Sequence, residues 1–337
     1  MYIHKYKPRS LSEITYNKEF NHNISKLAEG RYINNMLFHG IRGSGKKTFV
    51  MAYLADIYGP DVHNIRTNNV LNSDVKYRNS NYHIEIDLGQ HSSKNKRILI
   101  EFIKLYSSTL NIATEQPKIV VLYNADDIPT SIQLALRRIL EVYSETARYL
   151  FVCKFKNKMI EPIISRLFCL RVRGITRDEG VTILRNICCH EKIETTDDIL
   201  TNIIDRNTKY NYRTSIQDIV NDLNLSYIVT DEGAFKYEKH VDEFGGELDK
   251  IIMSLKKDKL TDRFYQQIKD YIDKHMLGET SYTDIIKYIL YSLTTCDYPD
   301  EVKFKLIDLM GTSTIYMCNK PTLYLEYIMF SIVKIIR

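Results

Sequence analysis

The chain has 337 residues, 44 % of them hydrophobic, with 47 Lys and Arg against 42 Asp and Glu for a net charge of +5. That length accommodates two or three domains with cores of their own, and no run of about eighteen apolar residues occurs, so a membrane span is not expected. The charge is too mild to mark a nucleic-acid partner by itself; its distribution has to decide.

Met1-Tyr2-Ile3-His4-Lys5 lacks the apolar core of a secretory signal, which predicts a chain kept inside the cell. Six cysteines, at 153, 169, 188, 189, 296 and 318, show no metal-ligand spacing and no disulfide framework; Cys188 and Cys189 read as core and near-core thiols on a helix. Residues 2–11 read as extended or irregular, with Pro8 restricting Lys7, and residues 19–33 as a helix. Met36-Leu37-Phe38 predicts a buried strand and Phe49–Tyr58 a helix closed by Gly59-Pro60. Between them stands His39-Gly40-Ile41-Arg42-Gly43-Ser44-Gly45-Lys46-Lys47-Thr48, which meets the pattern G-x-x-x-x-G-K of a phosphate-cradling loop. Gly40, Gly43 and Gly45 let the backbone aim N–H groups at phosphates, Lys46 reaches the outer phosphates, and the helix start adds its dipole. The hydroxyl that normally follows to hold Mg²⁺ is replaced by Lys47, with Thr48 one step late. Gly40, Gly43, Ser44, Gly45, Lys46, Lys47 and Thr48 are therefore candidate nucleotide ligands, with the metal in doubt.

Residues 60–80 are polar and Asn-rich, predicting a loop or short helix. Residues 82–88 alternate as a strand, 96–110 form an amphipathic helix, and Lys118–Tyr123 is a buried parallel strand. A helix at 130–143 and buried strands at 148–153 and 168–172 complete an alternation that argues a parallel sheet covered on both faces. From 176 to 226 the periodicity is helical, 229–247 reads as a linker, and the remainder is helical again. The last helix, Leu323–Ile336, is apolar nearly all round and is expected to be buried in a bundle or an oligomer.

A phosphate-loop ATPase needs an Asp and a Glu at the end of a neighbouring strand, to organise Mg²⁺ and polarise the attacking water. After Ile119–Leu122 this chain has Tyr123-Asn124-Ala125-Asp126-Asp127. The acidic pair is displaced by two or three residues, and Asp126 and Asp127 read more simply as the start of the next helix, where carboxylates are favourable.

Several ordered segments resemble a small subunit of replication factor C, the sliding-clamp loader of the AAA+ superfamily. Lys5-Tyr6-Lys7-Pro8 resembles the family's Lys-Tyr-Arg-Pro opening, and the Gly-Lys-Lys-Thr phosphate loop that of one subunit type. Leu122–Asp126 stands where Leu-Asp-Glu-Ala-Asp is usual, Gln133–Glu141 resembles Gln-x-Ala-Leu-Arg-Arg-x-Met-Glu, and Ile160–Leu167 resembles the segment ending Ser-Arg-Cys. The resemblance implies an α/β AAA+ core at 1–173, a small helical domain at 174–230 and a helical collar at 231–337. It implies ATP or ADP as ligand, with Tyr6 and Pro8 beside the base and Arg213 as a sensor arginine. Gln133 would couple DNA contact to the nucleotide site, and Arg166 would be an arginine finger completing a neighbouring subunit's site.

The departures from the family pattern fall together. Tyr123 and Asn124 replace acid and base, Lys47 replaces the metal's hydroxyl, and Lys154 stands for the sensor asparagine. This predicts nucleotide binding with Mg²⁺ weak or absent and no turnover of its own, as in the non-hydrolysing subunit type. Lys47 and Lys154 could partly neutralise bound phosphates in place of the metal. For DNA, Lys94, Lys96 and Arg97 at a helix start suit backbone phosphates. The implied partners are other loader subunits in a hetero-pentamer, a ring-shaped clamp and primer–template DNA, in the nucleus or a viral replication compartment. Two rivals stay open: a hydrolysing loader subunit using Asp126 and Asp127, and an AAA+ scaffold without nucleotide turnover.

Overall fold

The computed structural model describes residues 2–31, 33–70, 73, 75–109, 117–211, 215–229, 235–237, 266, 269–270, 286, 289–290, 293, 298–315 and 321–336. Contacts divide the chain into two compact units, residues 1–204 with 213–224, and residues 205–212 with 225–337.

The first unit is organised by a seven-stranded sheet. Its strands are β1 (Met36–His39), β2 (Arg66–Asn69), β3 (Lys76–Asn79), β4 (His83–Asp87), β5 (Lys118–Tyr123), β6 (Ala147–Cys153) and β7 (Phe168–Arg171), in the spatial order β2-β3-β4-β5-β6-β1-β7. β4, β5, β6, β1 and β7 run parallel, while β2 and β3 add an antiparallel edge. The central strands read as unbroken apolar runs because both their faces are covered. Val120 and Leu122 of β5 share a core with Leu99 and Ile103 of helix α4 (Ser93–Ser107) and Leu136 and Ile139 of α5 (Thr130–Val142). Ile119 and Val121 alternate to the other face and are equally buried. Helix α3 (Lys46–Tyr58) packs against β1, β6 and α2 (Lys18–Glu29), and Phe49 meets Tyr16 and Phe20 edge-on. This is the parallel α/β core, covered on both faces, that the strand–helix alternation predicts.

Helix α7 (Arg177–Glu191) opens with a capping box between Thr176 and Glu179. Glu179 also accepts the Asn17 N–H at 2.7 Å and pairs with Arg173, tying the helical segment to the core. Helices α8 (Asp197–Asn211) and α9 (Ile216–Ser226) follow. In the second unit, Tyr227–Val229 pairs antiparallel with Phe235–Tyr237, and helices Asp300–Ile315 and Pro321–Ile336 pack together.

Several expectations are corrected. Residues 2–5 form a short helical turn, α1 (Tyr2–Lys5), rather than extended chain. The polar stretch at 60–80 holds the β2–β3 hairpin; its side chains lack an apolar alternation because β2 is a fully exposed edge. β7 is the opposite edge, not a buried strand, and leaves Phe168 and Arg171 exposed. Cys189 is exposed although Cys188 is buried, a difference of one helical step. The stretch expected to be a linker contributes one strand of the small two-stranded sheet. The last helix buries Leu325, Ile328, Met329 and Ile332 but leaves Tyr327 and Phe330 exposed in the single chain. Most of the helices expected between 250 and 293 lie outside the described residues.

Candidate nucleotide site

In parallel α/β sheets ligands lie beyond the carboxyl ends of the strands, and there the candidate residues gather. His39 ends β1 beside Cys153 of β6, while Asp87 ends β4 beside Tyr123 of β5. The loop after β1 runs directly into α3, with Gly43 and Gly45 at φ 75° and 82°. Lys46 is buried, and its ammonium donates to the carbonyls of Gly40 at 2.8 Å and Ile41 at 2.5 Å. Burial pushes that ammonium down to about 8. Ser44, fully buried, donates to the Ile41 carbonyl at 3.0 Å and shapes the loop from within. The Ile216 N–H donates to the Gly43 carbonyl at 3.1 Å, so the start of α9 is bonded to the loop itself.

A pH dependence follows. A bound polyphosphate favours the charged ammonium and raises its pKa, so binding takes up a proton wherever free Lys46 is neutral. Nucleotide affinity is expected to be full below about pH 8 and to fall above it, approaching tenfold per pH unit. Fluorescence titrations between pH 7 and 9 check this, with Lys46→Arg as a reference that stays charged; a flat wild-type profile would count against it.

The loop opens on a cleft of about 950 Å³, large enough for a nucleotide. Among the described residues seven cationic side chains line it, Lys5, Lys7, Arg9, Arg42, Lys46, Lys47 and Lys154, against one carboxylate, Glu13. Such a balance suits a polyanion. Away from the loop the walls turn apolar and aromatic, with Ile183 and Ile187 of α7, Ile216 and Val220 of α9, and Pro8. Tyr6 stacks on His190 with centroids 5.8 Å apart, and its hydroxyl donates to Glu191 at 2.5 Å. The N-terminal segment is thus pinned to α7 as one wall of the cleft.

At the end of β5 the replaced residues contact one another. Tyr123 is 1 % exposed, and burial holds its phenol well above the usual range, so it offers no anionic oxygen. The Lys47 ammonium lies 4.5 Å from the centroid of that ring and 3.5 Å from Asp87 Oδ2. Asn124, in the left-handed region at φ 52°, donates to Asp87 Oδ1 at 2.6 Å, and the Gly89 N–H donates to the same oxygen at 3.1 Å. Mg²⁺ requires near-octahedral oxygen ligands, and these residues do not fit it. The hydroxyl's place is taken by an ammonium, and the Asp87 carboxylate has both oxygens engaged. Among the described residues no cluster of three His, Cys, Asp or Glu side chains forms a metal site.

Asp126 and Asp127 form a 3-10 turn at Ala125–Asp127 rather than the first turn of α5, which begins at Thr130. The Asp126 carboxylate turns inward, and Oδ2 accepts the N–H groups of Lys154 and Phe155 at 3.3 and 3.2 Å. It does not line the cleft.

The remaining candidates lie elsewhere. Gln133 is buried; Nε2 donates to the carbonyls of Ile128 and Lys158 at 3.0 Å each, and Oε1 accepts the Ile160 N–H at 2.8 Å. It joins α5 to the segment preceding the short helix α6 (Glu161–Ile164). Arg166, just past α6, pairs with Glu141 at 2.6 Å and donates to the Pro162 carbonyl at 2.6 Å, with its side chain 37 % exposed. Lys94 and Arg97 face solvent, but Lys96 is buried and donates to the Asp127 carbonyl at 2.7 Å, so it is held by the fold rather than free for a phosphate. Arg213 lies outside the described residues. Sequence reasoning missed Asp87, Glu141 and Glu191; for Asp87 the signal was its place as the last residue of a parallel strand.

No protein-family profile matches the chain. Curated proteins do. "Replication factor C subunit 5" of Schizosaccharomyces pombe is 28 % identical over 222 residues, 62 % of this chain and 62 % of that protein. "Replication factor C small subunit" of Sulfurisphaera tokodaii is 27 % identical over 319 residues, 92 % of this chain and 88 % of that one. The chain is similar in sequence to replication factor C small subunits. The match to "Probable replication factor C subunit 3" of Dictyostelium discoideum, 28 % identical, again spans 62 % of the relative, so under two thirds of these eukaryotic relatives is matched. Among solved structures, Thermotoga maritima RuvB aligns at a TM-score of 0.45 with 12 % identity, covering 84 % of this chain and 90 % of that one. No described helix is long and apolar enough to cross a membrane.

Proposed function

We propose that the chain is a nucleotide-binding subunit of a clamp loader of the replication factor C type that does not turn over its own nucleotide. One observation carries this reading: a phosphate-binding loop with Lys47 in place of its metal-holding hydroxyl lies beside a strand end that holds Tyr123 and Asn124 where acid and base would be needed. Phosphoryl transfer depends on positioning and on stabilising developing charge. This site keeps the groups that bind phosphate and lacks those that activate water. ATP or ADP occupies the cleft, with the base toward Tyr6 and Pro8, the phosphates toward Lys46 and Thr48, and Arg213 as a further cation. Arg166 completes the site of a neighbouring subunit. Gln133 couples nucleotide state to DNA contact, and Lys94 and Arg97 touch the DNA backbone.

The division into a core at 1–173, a helical domain at 174–230 and a collar at 231–337 belongs to this proposal, with the collar joining a hetero-pentamer. Loading of a ring-shaped clamp on primer–template DNA, in a nucleus or a viral replication compartment, is the role that fits. The hydrolysing alternative would need Asp126 in the cleft, and its inward carboxylate speaks against that. The test is reconstitution with the loader subunits of the same source. The full chain is expected to co-elute in one hetero-oligomer that places a clamp on primed DNA. A chain that binds nucleotide yet joins no such complex would overturn the clamp-loader reading.

A further inference from the structure

We propose that Lys47 is a built-in cation replacing the divalent metal ion, so that this site binds nucleotide without Mg²⁺. The inference rests on the nucleotide-binding reading above and goes beyond it by naming what neutralises the phosphates. Lys47 is the second residue of α3, one step after the phosphate-loop lysine, and its side chain lines the same cleft. Its ammonium is set between the Tyr123 ring, at 4.5 Å, and Asp87 Oδ2, at 3.5 Å. Both partners are weak holds. The ring offers only its quadrupole, and the pair with Asp87 is long and half exposed. Asp87 is not stranded when Lys47 leaves, because the Asn124 amide and the Gly89 N–H stay on Oδ1.

The ammonium is therefore parked beside the place where phosphates arrive, on contacts that a polyphosphate outbids. A charge-assisted hydrogen bond to phosphate is stronger than either of them. Tyr123 acts as the parking surface: a carboxylate in its place would hold Lys47 as a close ion pair and compete with the nucleotide. The substitutions at 47, 123 and 124 then form one device rather than three separate losses. Lys154, exposed and lining the same cleft, adds further positive charge.

The experiment titrates the full chain with a fluorescent ADP analogue in EDTA and again in excess Mg²⁺. Wild type is expected to bind with dissociation constants within about threefold of each other under the two conditions, since no metal ligand is gained. Lys47→Met is expected to weaken binding about tenfold or more in both. Lys47→Thr should weaken it similarly in EDTA and recover part of the loss when Mg²⁺ is added. Thermal melts of both variants serve as a check on folding, and Lys47 is half exposed, so little change is expected. A wild-type affinity that drops more than about tenfold in EDTA overturns the inference while leaving nucleotide binding intact. Unchanged affinity in Lys47→Met overturns it too. No binding by wild type in either condition, or binding indifferent to Lys46→Ala, defeats the nucleotide reading itself.

Discussion

Arg166→Ala is expected to lower ATP turnover at one neighbouring site of the assembled complex by roughly 10³-fold, the low end of what an arginine supplied from another chain contributes. In the same complex Lys46→Ala is expected to change total turnover by no more than about twofold. The asymmetry follows from where the two side chains lie. Arg166 leaves the end of α6 with its guanidinium partly exposed and pairs with Glu141 at 2.6 Å. An exposed pair of that kind contributes little to stability, so in the proposed role the guanidinium is free to turn to a phosphate on another subunit. Glu141 does not lose its only cation in the exchange: Arg137 Nε stays 3.1 Å away, and that hydrogen bond already holds the Glu141 carboxyl below its usual range. Lys46 by contrast serves, in the proposed reading, a site whose strand end carries Tyr123 and Asn124 in place of acid and base. Equal and large losses for both variants, in complexes that still assemble, would mean that this subunit's own site takes part in turnover.

The second large effect concerns the fold. Gly40→Ala is expected to cost about 3 kcal/mol, from overpacking together with an unfavourable backbone region. Gly40 sits at φ 149°, and a β-carbon there would lie 2.1 Å from the Val172 carbonyl oxygen. Val172 N–H in turn donates to the His39 carbonyl at 2.8 Å, so the obstructing backbone is fixed to β1 and cannot withdraw. Gly59 separates the two contributions: it also has positive φ, 92°, but nothing lies within 4 Å of its would-be β-carbon. Gly59→Ala should therefore cost only about 1 kcal/mol. At about 2–4 °C per kcal/mol for a domain of this size, thermal melts distinguish the two readily. Equal shifts would show that backbone conformation, not crowding, sets the cost at Gly40.

The phosphate loop was legible because strand, glycines, lysine and helix follow one another without interruption, and local sequence dictates all of them. The central strands were legible for a related reason: residues such as Val120 and Leu122 are apolar wherever both faces are covered. The β2–β3 hairpin was not, since Arg66, Asn68, Lys76 and Arg78 carry no periodic apolar signal. It forms by pairing with β4, aided by the Arg78–Glu85 ion pair, whose carboxylate is 1 % exposed. Lys96 shows a different limit. It looked like part of a basic cluster, but it shares a helical face with Leu99 and Ile103, three and seven residues on, and is buried with them. Charge alone hid a position that spacing could have revealed. At the end of β5, the sequence showed that acid and base were missing, but not that Lys47, Tyr123, Asn124 and Asp87 touch. Contacts among three separate segments require the assembled sheet.

That assembly also bears on how the site can change over generations. Asn124 occupies a left-handed conformation that asparagine tolerates better than glutamate, by about 1 kcal/mol. Its side chain lies against Gly89, where a β-carbon would come within 3.0 Å of the amide. Tyr123 fills a place only 1 % exposed, and an aspartate there would leave both a void and a buried charge. Replacing either residue singly by a carboxylate is therefore expected to lower stability. Packing thus entrenches Tyr123 and Asn124 in place, and a lineage that carries them is on a ratchet rather than a reversible path.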